Sequence, residues 1–287
     1  MKFSLKIFKG SVLLGLALFS FIINSEVYSQ PELYFVHTNE VFRPIQASIF
    51  ESKIGISSNI QQENLKLDIG ASVDIVGIKT KKYTASLGAE FFTFSNLRKE
   101  DNFKFPVDAV DYYFGVSFNY KTELNPISII SSRLRIAHIS SHFEDGHKYP
   151  VTDTIFTPVV YSREFIELAG IYDYKIRPNF VLRILLGVNL LMHSIPDDFG
   201  KVSLQIGNEL RYSFNDYFGV YLSNELRNAS VKGNSVFNES FETGLNIGGF
   251  DNRGVNIFFS LYNGQDYKGQ YYDKSLNIKS IGTHIIF

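Results

Sequence analysis

The residues best suited to chemistry crowd into one stretch, Arg133-Leu134-Arg135-Ile136-Ala137-His138-Ile139-Ser140-Ser141-His142-Phe143-Glu144-Asp145-Gly146-His147, which takes in three of the six histidines of the chain. A serine hydroxyl is a weak nucleophile until an adjacent base accepts its proton, and a carboxylate that orients the base completes the set. His138, Ser140 and His142 share the parity of Leu134 and Ile136, while Arg133 and Arg135 have the other. On a strand, the His-Ser-His row and the arginine pair therefore project to opposite faces. In the next segment, Ser162 to Tyr172, Glu164 shares its parity with the apolar Ile166, Leu168 and Tyr172, and Glu167 does not. Pairing His142 with Ser162 sets Ser140 opposite Glu164 and His138 opposite Ile166, with opposed Cβ atoms about 5 Å apart. In that arrangement Ser140 attacks an ester carbonyl, His138 takes and returns the proton, and Glu164 orients the imidazole. Ser141 and His142 support them, and the Ser141–Gly146 backbone is where an oxyanion donor is to be sought. Two other readings stand beside this one. The cluster can be polar decoration at a membrane interface. It can also be a metal site of His138, His142 and His147 with Glu144 or Asp145, ligands that zinc accepts, although the spacing is not diagnostic. The sequence names no metal ligand and no cofactor, with calcium left open.

What positions such a row is a strand, and the chain is full of them. Leu65, Leu67, Ile69, Ala71, Val73 and Ile75 alternate with Lys66, Asp68, Gly70, Ser72 and Asp74. The same period of two runs from Phe180 to His193 and from Val202 to Phe214. Each such segment has one apolar and one polar face. Twelve are predicted, over 44–59, 64–76, 83–94, 107–121, 127–142, 160–175, 179–193, 201–214, 217–231, 236–247, 254–264 and 277–287. The connections after even-numbered segments are short, and those at 95–106, 143–159 and 265–276 are long. An even strand count, alternating short and long connections and one bare Val/Leu/Ile/Phe face predict an all-β, antiparallel up-and-down transmembrane β-barrel with its short turns in the periplasm. A soluble sandwich of similar strand count is the alternative.

The ends and the composition agree. Lys2, Lys6 and Lys9 precede an apolar run from Ser11 to Ile23, and Val27-Tyr28-Ser29 suits cleavage, so residues 1–29 read as a signal peptide rather than an anchor. Residues 30–43 form a periplasmic lead, and 44–287 the barrel. There are 27 Phe and 17 Tyr but no Trp, at a mean hydropathy near zero. Lipid outside and polar residues inside explain that combination. A net charge of -1 gives no reason to expect nucleic acid as a partner. Arg133, Arg135, Arg183, Glu167, Glu209, Arg211, Glu225 and Arg227 are expected to fill the lumen as a charge network, with His193 and His284 also facing inward. The expected partners are outer-membrane lipids and, through the closing Phe287, the barrel-assembly machinery.

Four stretches, His138-Ile-Ser-Ser-His142, Ser162 to Glu164, Leu191-Met-His-Ser-Ile-Pro-Asp197 and Tyr262-Asn-Gly-Gln-Asp-Tyr-Lys-Gly-Gln-Tyr271 with His284, resemble the bacterial envelope family called domain of unknown function 1207. The family's usual Leu-Gly-Asp-Glu after the second histidine reads Phe143-Glu144-Asp145-Gly146 here. The His-x-Ser row on an outward strand face also resembles outer-membrane phospholipase A and the lipid A deacylases. By position, this second resemblance implies His138 and Ser140 with Glu164 as the acid; where an Asn usually follows the serine, Ser141 stands. The combined expectation is an outer-membrane lipid-ester hydrolase. The competing class is a non-catalytic barrel, whether a narrow channel, a structural protein or a binding protein.

Overall fold

The structure, a computed structural model, describes residues 31–37, 41–61, 64–143 and 157–286. The signal peptide at 1–29, residues 144–147 of the histidine-rich stretch and Phe287 lie outside the described residues. The strands are β1 (Glu32–His37), β2 (Ile54–Asn59), β3 (Asn64–Lys79), β4 (Tyr83–Arg98), β5 (Val107–Asn125), β6 (Ser128–Phe143), β7 (Tyr161–Arg177), β8 (Phe180–Ile195), β9 (Val202–Ser213), β10 (Phe218–Val231), β11 (Asn234–Ile247), β12 (Gly254–Gln265) and β13 (Ser275–Ile286). Each of β2 to β13 pairs antiparallel with its sequence neighbours, and β13 pairs back onto β2, so twelve strands close a barrel. Turns at 80–82, 126–127, 178–179, 214–217 and 248–253 mark one end, and the connections 99–106 and 266–274 belong to the other, as expected from the sequence.

The outward face is apolar. Leu134, Ile136, Leu168, Leu186, Leu204, Ile206 and Leu222 all stand exposed on it. Near the short-turn end, rings gather: Tyr83 stacks on Tyr120, Tyr172 on Tyr174, and Tyr212 meets Phe180 and Phe214. Such a girdle fits the edge of a lipid-facing band about 25 Å tall.

The first predicted strand, 44–59, is corrected: only Ile54–Asn59 is strand. β1 and β2 share one edge of β3, β1 at Asp74–Lys79 and β2 at Leu65–Asp68. Between them the chain leaves the wall and enters the lumen. Val41, Phe42, Ile45, Ala47, Ser48 and Glu51 are buried there, on both parities, because this segment is surrounded rather than faced. Its backbone bonds to lumenal side chains instead of a neighbouring strand. Ala47 N donates to Ser223 Oγ at 3.0 Å, Ser240 Oγ donates to Ala47 O at 2.6 Å, and Arg183 donates to Arg43 O and Pro44 O at 2.6 and 3.2 Å. Alternation alone does not separate such a strap from a wall strand.

The lumen is filled in layers. Phe42 and Ile45 pack with Ala169, Ile171 and Leu185. At Gly207 an added Cβ would lie 2.4 Å from the Ile45 side chain, so only glycine admits this close approach. The expected charge network follows, with the strap's Glu51 as a member unforeseen from sequence. Arg133 pairs with Glu51 and, at 2.9 Å, with Glu167, while Arg135 reaches Glu167 at 2.9 Å and Glu90 at 3.3 Å. Arg183 pairs with Glu209 at 3.1 Å, and Arg211 and Gln46 share that carboxylate. Towards the long-loop end, Phe92, Phe94, Tyr113, Phe165 and Tyr272 form an aromatic cluster, with Ile139 packed among them. His284 faces the lumen, as expected, 2.9 Å from Asn256 and from Gln46.

Candidate functional site

The site is built on the outward face of β6, β7 and β8, near the long-loop end. His138 lies opposite Glu164, and Ser140 opposite Ser162. The β6–β7 register is therefore two residues away from the expected one, which set Ser140 against Glu164. A shift of two keeps every side chain on its face, so the apolar pattern cannot choose between the two registers. The consequence for chemistry is large: the carboxylate now faces the imidazole directly. His138 Nδ1 lies 2.7 Å from Glu164 Oε1.

Glu164 carries two further partners. Ser162 Oγ donates to Oε1 at 2.7 Å, and His193 Nδ1 lies 2.7 Å from Oε2. Expected to face the lumen, His193 instead faces outward. The β7–β8 ladder shifts between Glu164/His193 and Phe165/Leu191, so Met192 and His193 both stand exposed and the count of two breaks there. Parity counting misses such a bulge. The signal that could have found His193 is its place in Leu191–Asp197, one of the stretches carrying the family resemblance.

A cross-strand row fixes the imidazole. Phe91 pairs with Phe114, Phe114 with His138, His138 with Glu164, and Glu164 with His193. Phe114 stacks on His138 at 5.1 Å with planes 5° apart, and Phe91 stacks on Phe114 in turn. One face of His138 thus lies on an aromatic ring and its Nδ1 on a carboxylate, and among the described residues no hydrogen bond reaches its Nε2. The side chains of His138, Glu164 and His193 are 33%, 31% and 59% exposed, so the row is open on the outside of the barrel rather than sealed. Ser140, two residues on, shares the face of His138. Among the described residues no hydrogen bond joins them. His142, also outward, sets its ring edge against Tyr112 at 5.7 Å.

Ser141 points the other way. It is buried, bonds Asp111 through Oγ and accepts from Gln270 N at 3.2 Å. Gly269 N donates to Asp111 Oδ2 at 2.8 Å, and a Cβ on Gly269 would sit 2.3 Å from Tyr161. Gln270 holds Val159 at both its N–H and its C=O, at 3.0 and 2.7 Å. The 266–274 connection is thus a lid tied onto the rim directly behind the His-Ser row. Four stretches far apart in sequence converge on one corner of the barrel: 138–142, 162–164, 191–197 and 262–271.

The sequence model of a family described as a protein of unknown function (DUF1207) matches residues 82–287. This chain belongs to the DUF1207 family. The matched part of the DUF1207 barrel runs from the turn before β4 to the end of the chain and holds the whole rim site; the strap at 41–53 lies upstream of it. No curated protein matches this DUF1207 chain. Among solved structures, the translocator domain of autotransporter NalP from Neisseria meningitidis is similar to it with 10% identity and a TM-score of 0.36, covering 98% of each chain.

Proposed function

We propose that this outer-membrane-type β-barrel resides in the bacterial outer membrane and hydrolyses acyl esters of outer-leaflet lipid, lipopolysaccharide or phospholipid. The observation that carries this reading is the 2.7 Å contact of His138 Nδ1 with Glu164 on the lipid-facing rim, with Ser140 on the same face. Ser140 is the nucleophile, His138 the general base and then acid, and Glu164 the group that orients the imidazole and stabilises it when charged. The position suits the chemistry. A charged side chain near the membrane interface costs only about 0–1 kcal/mol, and a scissile ester lies at that depth. The lumen argues against the narrow-channel alternative, because the strap, the charge network and the aromatic cluster occupy it.

The test is mass spectrometry of lipids after incubating the refolded barrel, with calcium present, with lipopolysaccharide or phospholipid vesicles. Wild type is expected to remove an acyl chain, and a folded Ser140→Ala variant to leave the lipid intact. Equal cleavage by both, or none by either, overturns the assignment.

A further inference from the structure

The apolar outward wall is broken near mid-height by two carboxamides, Asn208 and Asn224, with the exposed Glu239 and Lys279 further along the same face. On β9 the outward series reads Val202, Leu204, Ile206, Asn208, Leu210, Tyr212, and on β10 it reads Phe218, Val220, Leu222, Asn224, Leu226. Asn208 and Asn224 are direct cross-strand partners. Asn208 lies four residue steps from the girdle residue Tyr212, which at roughly 3.3 Å per step on a tilted strand sets it near the middle of the apolar band. Asn224 finds acceptors on its own barrel, 3.4 Å from Glu239 Oε1 and from Ser240 O. Asn208 is exposed and, among the described residues, has no hydrogen bond. In hydrocarbon no water satisfies it, and a polar group that must stay there needs a protein partner.

We infer that this face, β8 to β10, is where two copies of the chain meet in the membrane, with Asn208 of one copy against Asn208 of the other. A carboxamide is both donor and acceptor, so it is complementary to its own image, as a two-fold interface requires. Shape supports the same occupant. Beside the amide pair lies a groove of about 360 Å³ lined by Leu186, Leu204, Ile206, Leu226 and Phe237, with Phe237 60% exposed at its edge. A copy brought up by a two-fold axis presents the same apolar groove in return. A lipid acyl chain also fills an apolar groove, but it leaves the amide unpaired.

The chain has no cysteine, which makes the test clean. Asn208→Cys and, as a control on the outward face of β5, Val116→Cys are placed singly in the full barrel. Each is reconstituted at low protein-to-lipid ratio and oxidised. The Asn208→Cys variant is expected to give a covalent dimer in high yield and the control little. Wild-type barrel in detergent should have the mass of a dimer by light scattering, and Asn208→Leu, which removes only polarity from a lipid-facing site, that of a monomer. A monomeric wild type, or equal cross-linking of the two cysteine variants, overturns the inference. So does an Asn208→Leu variant that remains fully dimeric.

Discussion

Two glutamates three residues apart on β7 face opposite sides of the wall. Glu167 points inward, is fully buried and meets Arg133 and Arg135 at 2.9 Å each. Glu164 points outward, is about a third exposed and meets two imidazoles and a hydroxyl, each at 2.7 Å. The inner carboxylate is matched by permanent cations and has no spare role, so it belongs to the barrel's framework. The outer one is matched by two imidazoles and the Ser162 hydroxyl on an exposed face. The difference separates charge that fixes a structure from charge that can run a reaction. Exposure and partner type mark it, and residue type does not.

The comparison breaks most readily at the inner carboxylate. Glu167→Ala strands two buried guanidinium groups on their remaining partners and is expected to cost about 3–5 kcal/mol of stability. Urea unfolding followed by the heat-dependent gel shift of folded barrels reads it, and a loss near zero would make the network ornamental. The outer carboxylate should behave in the opposite way. Glu164→Gln is expected to lower deacylation about 10²-fold or more by misorienting His138, while unfolding shifts by no more than about 1 kcal/mol. A large stability loss with unchanged turnover per folded molecule would put Glu164 in the framework instead. Between these stands the strap. Gly207→Val, which collides with Ile45, is expected to destabilise by about 1–3 kcal/mol and to leave lipid cleavage unchanged. The smallest effect is sought at His193→Ala. Loss of one charge-assisted hydrogen bond to Glu164 is expected to lower the rate about tenfold, and an unchanged rate would leave His193 a bystander.

Much of this was open to inspection in the sequence. The period of two, with apolar residues on one face of Leu65–Ile75 and Val202–Phe214, fixes both strand identity and which side meets lipid, because a strand's side chains have no third direction. Arg133 and Arg135 inward, His138 and Ser140 outward, follow from the same parity, while the barrel and the grouping of the short turns at one end follow from the even segment count and the alternating connection lengths. Three things were decided only in three dimensions. The β6–β7 register set His138 rather than Ser140 against Glu164, since shifts of two leave the pattern unaltered. A bulge at Met192 turned His193 outward to join that carboxylate. The segment at 44–53 reads as part of a strand over 44–59 yet became a lumenal strap, because side chains contributed by β8, β9, β10 and β11 together offer its backbone the hydrogen bonds that a neighbouring strand would have supplied. Parity is a local property of the chain; register, bulges and lumenal partners are set by what lies across the barrel.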